Sequence, residues 1–412
     1  MTTDNGSSHP LITTRLSAMM FLEFFIWGAW YVTVGNYMKA HGMGDKIFWA
    51  YTVGPIAAIV SPFFLGMVAD RFFATERTLG LMHILSGVVM CFVPRVAEMN
   101  STVFIYFLLI HMLCYMPTLG LTNTLAFHNI TNQEKQFPVI RVFGTIGWIA
   151  ANFVVSKWLH GDTENIQFYI TGGACLILGI YSFSLPHTPP PAAGEKVRVR
   201  EILGIDALIT LADFPFVVFL VSSFLICIPL AAYYAYAPVY AEAAGFADPA
   251  YNMSFGQVSE VFFMFIMPLL FIRLGIKWML LVGMGAWVAR YGLFAAGAHD
   301  GILWMIFLGI LLHGVCYDFF FVTGQIYTDK KSTSEVRGQA QGLLVLVTQG
   351  LGMLIGALVS GYLYKNIVLK DGVALREDYQ DFWLIPCIAA AVIMILFFLL
   401  FRDRSVQKPS HS

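Results

Sequence analysis

Hydrophobic positions along this chain come in long unbroken runs, separated by short polar turns. Runs of about 20 apolar residues, the length needed to cross a ~30 Å hydrocarbon core as a helix, lie near 14–38, 47–69, 78–97, 102–127, 137–158, 166–186, 214–240, 253–272, 277–298, 302–328, 338–364 and 381–401. Period-two alternation is absent, which sets a β-barrel aside. Helices satisfy their own backbone hydrogen bonds, as lipid demands. The pattern therefore predicts an all-α polytopic membrane protein with twelve transmembrane helices.

Polar positions then divide and orient the spans. The longest polar connection, 187–213, separates six runs from six. It opens with a Pro-rich piece and basic residues, followed by ILGIDALITLAD, which is apolar on most of one face and is expected at the interface. The expected organisation is a tail over 1–13, a six-helix bundle over 14–186, the linker, a second bundle over 214–401 and a tail over 402–412. With both termini on one side, fifteen Lys and Arg residues fall in the loops of that side and seven opposite. The positive-inside rule places both termini in the cytoplasm. The N-terminal stretch MTTDNGSSHPLITTR lacks the basic region and cleavage site of a signal peptide.

Composition agrees: 58% of the 412 residues are hydrophobic and 12% charged, against about 25% charged in soluble domains. A net charge of −1 without a basic stripe gives no reason to expect nucleic acid. The six cysteines stand singly inside apolar runs, so neither a disulfide framework nor zinc is implied. No HExxH or GxSxG arrangement appears, which argues against an intramembrane enzyme. A sensor would be expected to carry a sizeable soluble domain, and no such stretch is present.

Ionisable residues at bilayer depth cost several kcal/mol and by default mark a pathway. Asp318 sits deepest, inside LLHGVCYDFFFVTGQIYTDKK, where it either exchanges a coupling proton or forms a permanent ion pair, for instance with Arg141. His313 and Tyr317 share a helix face, with Asp318 turned about 100° from Tyr317. Tyr317 then reads as a ligand wall and Asp318 as coupling machinery. Gln257 and Glu260 share a face of the eighth span; an amide that both donates and accepts suits vicinal hydroxyls. Glu260 has as its structural alternative a pairing with Arg290. Arg141, Thr145 and Trp148 line one face of the fifth span, unless Arg141 merely snorkels to the headgroups. Glu23, Trp27 and Trp30 repeat similarly on the first span, with Glu23 a proton-coupling candidate. His83, His111 and His128 read as hydrogen-bonded packing residues.

Particular strings carry a resemblance. GMVADRFFATER (Gly66 to Arg77) is similar to the signature loop after the second span of the major facilitator superfamily, with Gly66, Asp70 and Arg71 in its expected places as gating residues. CYMPTLGLTNTLAF, FPVIRVFGTIGW, YDFFFVTGQIYTDKK and RGQAQGL resemble the nucleoside:proton symporters of that superfamily, over most of the chain. The resemblance implies two pseudo-symmetric six-helix bundles, alternating access, and nucleoside uptake by proton symport across the cell inner membrane. No cofactor is implied, and a monomer is expected to suffice. One departure stands out: where the family is expected to offer amide side chains on the seventh span, this chain has Ala231 and Tyr234. Tyr234 is taken as the ligand-facing residue there. A proton-coupled carrier of another small neutral solute, such as a sugar, is the alternative.

Overall fold

The computed structural model describes residues 8–64, 73–190, 199–333, 335–370 and 374–402. Among these no strand occurs. The spanning helices are α1 Leu11–Ala40, α2 Gly44–Phe63, α3 Thr75–Met99, α4 Ser101–Asn129, α5 Lys135–Trp158, α6 Ile166–Ser182, α7 Phe214–Ala244, α8 (249–274), α9 (276–298), α10 Leu303–Lys331, α11 Arg337–Val368 and α12 Tyr379–Leu400. Every expected span has its helix among the described residues, within a few residues, except that the last part of the second run, 65–69, lies outside them. Gly66, Asp70 and Arg71 lie outside the described residues.

Local chemistry sets the helix ends. Asn100 caps α4 by accepting from the amides of Thr102 and Val103, Asn132 caps α5 through Lys135, and Asp213 caps α7 through Phe216. The eighth and ninth apolar runs, α8 and α9, form one 50-residue helical stretch interrupted only at Gly275, with φ 68° and ψ 177°. A side chain at that backbone conformation would be strained, so glycine makes the sharp turn that a β-carbon would oppose. The α6 helix, 17 residues, stops at Ser182, a few residues before its apolar run ends. Phe183 to Leu185 instead form turn hydrogen bonds back to residues 180–182.

Two compact units result. The first takes the described residues through Tyr37 and those from Ile56 to 190; the second takes Met38–Pro55 and those from 199 onward. The start of α2 therefore groups with the second unit, where Phe48 abuts Gly361 of α11. Outward faces are apolar: Phe262, Phe265, Leu269 and Ile272 form one exposed stripe on α8. That is how a lipid-facing helix reads, and the chain is an integral, multi-pass membrane protein. In the linker, a short helix Ile205–Leu211 buries Ala207 and Leu211 and exposes Ile209, the one-faced character its pattern suggested. Its near neighbour is the start of α11, where Gly204 sits against Gln339 and Leu343.

Candidate functional site

In the first unit, α1 and α5 cross closely. A β-carbon at Gly147 would overlap the Phe21 carbonyl oxygen, and one at Gly28 would stand 3.0 Å from the Trp148 carbonyl. This closeness brings Trp27 against Trp148, ring centroids 5.6 Å apart and nearly perpendicular, with Tyr31 at 5.7 Å from Trp27. Tyr115 of α4 adds a fourth ring at 5.8 Å from Trp27. Edge-to-face packing of this kind fixes ring orientation. Arg141 is exposed and lies over Phe24, 4.2 Å to the centroid. Thr145 is half-buried, one helical turn from Arg141. The Arg141–Thr145–Trp148 face thus runs from an exposed guanidinium to an aromatic cluster.

Glu23, the proton-coupling candidate of the first span, lies on α1. It is fully buried, with its carboxylate accepting from Thr118 at 2.6 Å and meeting His83 Nε2 at 2.8 Å. Trp30 is likewise fully buried, edge-on to His111 at 5.5 Å. His83 and His111 both have side-chain partners, Glu23 and Ser86.

In the second unit, four helices bring their ring-bearing and charged groups into one stack. His313 of α10 lies parallel to Tyr233 of α7, centroids 5.6 Å apart, and meets Tyr234 edge-on at 6.3 Å. Its Nε2 is 3.9 Å from a Glu260 carboxylate oxygen on α8. Tyr317 stands 5.8 Å from His313, on the shared face that the i, i+4 spacing predicts. Gln257 and Glu260 are both half-buried, one turn apart on α8. The α8–α10 contact is tight because the Gly314 amide donates to Ser259 Oγ at 3.0 Å.

Arg290 does not pair with Glu260. Fully buried on α9, it donates through Nε to the Gly309 carbonyl at 3.0 Å and lies 4.0 Å over the Tyr233 ring. Glu260 faces His313 instead, because α10 rather than α9 presents the side chain next to it. Tyr233 and Arg290 thereby back the stack, a role that helical spacing did not suggest for Tyr233.

Asp318 is fully buried, and neither carboxyl oxygen has a hydrogen-bond partner. It opens a π-helical turn over Asp318–Val322, a local widening that often marks functional positions. Among the described residues no ion pair holds it. A groove of about 400 Å³ elsewhere in the first unit, lined by Thr13, Ser17, Phe21 and Phe143 among others, contains none of these residues.

Residues 11–406 match the model of the family described as Nucleoside H+ symporter. The chain belongs to the nucleoside H+ symporter family. It is 40% identical to the putative nucleoside transporter YegT of Escherichia coli K12, covering 95% of this chain and 94% of the relative. It is 30% identical to the xanthosine permease of the same organism, covering 97% and 98%. The crystal structure of the nucleoside transporter NupG superposes with a TM-score of 0.85 at 27% identity, over 95% of this chain and all of that one. The fold of this symporter is that of the major facilitator superfamily, and its twelve helices are those the apolar runs predict. As a family member it is a proton-coupled nucleoside transporter, and the match does not favour the sugar alternative.

Proposed function

We propose that the chain imports nucleosides across the cell inner membrane, both termini cytoplasmic, working as a monomer and catalysing no covalent chemistry. Protons and nucleoside are its partners, with no role for nucleic acid. Orientation rests on the twofold excess of Lys and Arg in one set of loops.

The observation that carries the mechanism is the acidic pair of the second unit: Glu260 facing His313 at 3.9 Å, and Asp318 buried without a hydrogen bond. An ionised carboxylate in that setting is costly, so Asp318 is stable when protonated and poised to lose its proton only on hydration. Glu260 touches both the proton and the ligand. In the second unit, Gln257 meets ribose hydroxyls while Tyr234, Tyr317 and His313 contact the base. In the first, Arg141, Thr145 and Trp148 receive the nucleoside. Gly66, Asp70 and Arg71 keep the gating role that their motif implies.

A neutral nucleoside gains nothing from the membrane potential directly. One co-transported proton supplies about 2.3 kcal/mol per 100 mV and about 1.4 kcal/mol per pH unit. Alternating access then lets the carboxyls load on one side and unload on the other. Labelled uridine uptake into proteoliposomes, with purine nucleosides, free bases and hexoses as competitors, tests the cargo. Competition by hexoses and not by nucleosides would reject it.

A further inference from the structure

The first unit holds a pair of titratable side chains of its own. Glu23 of α1 and His83 of α3 are both fully buried and meet at 2.8 Å. Thr118 donates to the other carboxylate oxygen at 2.6 Å, and the Tyr115 hydroxyl donates to the Glu23 carbonyl at 2.7 Å. Both carboxylate oxygens are thus occupied, while His83 Nδ1 has no partner.

Charge counting decides what such a pair must hold. With one proton shared between them the two groups are neutral overall, as acid and imidazole or as carboxylate and imidazolium. Without it they carry one negative charge, and an uncompensated buried charge costs several kcal/mol. The groups facing the pair do little to offset that. On α4 these are His111, bonded to Ser86 at 2.7 Å, and Tyr115; Cys175 of α6 is also in electrostatic range of Glu23, with Cys91 and Cys114 beyond it. The fixed positive charge among them, Arg141 of α5, is exposed and stacked on Phe24.

The pair is also joined to the aromatic wall. Tyr115, bonded to the Glu23 carbonyl, packs 5.8 Å from Trp27, which packs 5.6 Å from Trp148. A change in the Glu23–His83 spacing therefore shifts α1 and the rings it carries.

We propose that Glu23 and His83 form a second proton site of this transporter, occupied by one proton when the Trp27–Trp148 wall is packed as here and linked through Tyr115 and Trp27 to nucleoside binding. The proposal rests on the nucleoside-binding reading above.

Uridine binding to the purified protein, followed across pH, tests it. Each linked proton adds about one decade of half-saturating uridine per pH unit in the limiting region. Glu23→Gln and His83→Gln should each lower that limiting slope by about one relative to the unaltered protein. An unchanged slope in both variants overturns the proposal. Should neither variant be purified folded, glutamate-labelled infrared difference spectra of the unaltered protein on uridine addition decide the matter. A glutamate band, carboxyl or carboxylate, that persists in Glu260→Gln supports the proposal; loss of every glutamate band in that variant overturns it. Absence of any saturable uridine binding by the unaltered protein would instead refute the nucleoside reading itself.

Discussion

Replacing Gly147 by alanine probes the α1–α5 crossing that sets the aromatic wall. The added carbon would overlap the Phe21 carbonyl oxygen and stand 3.1 Å from the Phe21 Cα. Backbone atoms cannot step aside as a flexible side chain does, so the helices must part. Overpacking of this kind costs about 1–3 kcal/mol, with rigid backbone neighbours favouring the upper end. Alanine's better helix propensity returns about 1 kcal/mol. A net loss of roughly 2 kcal/mol follows from these two terms. Gly173 on α6 is the internal control, since a β-carbon there meets nothing within 4 Å. Gly173→Ala should therefore be neutral or stabilising by up to about 1 kcal/mol. Thermal unfolding in detergent ranks the variants. Uridine binding adds a second readout, because Trp148 follows Gly147 in sequence and moves with it. A shift worth 1 kcal/mol would weaken binding about fivefold. Gly147→Ala melting at or above the unaltered protein, with unchanged affinity, would refute the crossing geometry and its link to the wall.

Other predictions concern the second unit. Arg290→Lys loses the planar contact over Tyr233 and the Nε bond to Gly309, and should cost about 2–4 kcal/mol in thermal stability; an unchanged melting temperature would contradict the stack. His313→Phe keeps an aromatic ring against Tyr233 but removes the nitrogen facing Glu260. Uridine binding should survive while its pH dependence changes, and a pH profile superimposable on the original would count against the Glu260–His313 contact. Lys39 and Glu242 meet at 3.0 Å with about a third of each side chain exposed. A double-mutant cycle should return a coupling of at most about 1 kcal/mol, as for other solvent-exposed pairs, and a much larger value would mean the pair is effectively desolvated.

Much of this architecture was legible in the amino-acid sequence, for a physical reason. Lipid requires continuous apolar helices, so span positions follow from hydropathy alone, and even the α8–α9 break is visible as the short FIRLGIKW turn around Gly275. Facing relations within one helix were equally legible: His313 and Tyr317, four residues apart, do share a side. Relations between helices were not. Spacing shows that Glu260 faces inward but not that α10 rather than α9 supplies its neighbour, so His313 and not Arg290 stands opposite. The Glu23–His83 contact joins residues sixty positions apart, and no periodicity reports it. The π-helical turn at Asp318 depends on backbone hydrogen bonds that hydrophobic patterning leaves unspecified. Tyr234 of the seventh span does stand beside His313, whereas Ala231 is buried at a helix contact, against Gly356.

The account turns on whether the acidic groups of the second unit convert a proton gradient into nucleoside accumulation. Uridine accumulation in proteoliposomes under an imposed inward proton gradient measures this, comparing the unaltered protein with Asp318→Asn and Glu260→Gln. The unaltered protein should concentrate uridine up to about tenfold per pH unit, and the Asp318 variant should do no better than equilibrate it. Full accumulation by both variants, still abolished by a protonophore, would contradict the assignment of coupling to these carboxyls.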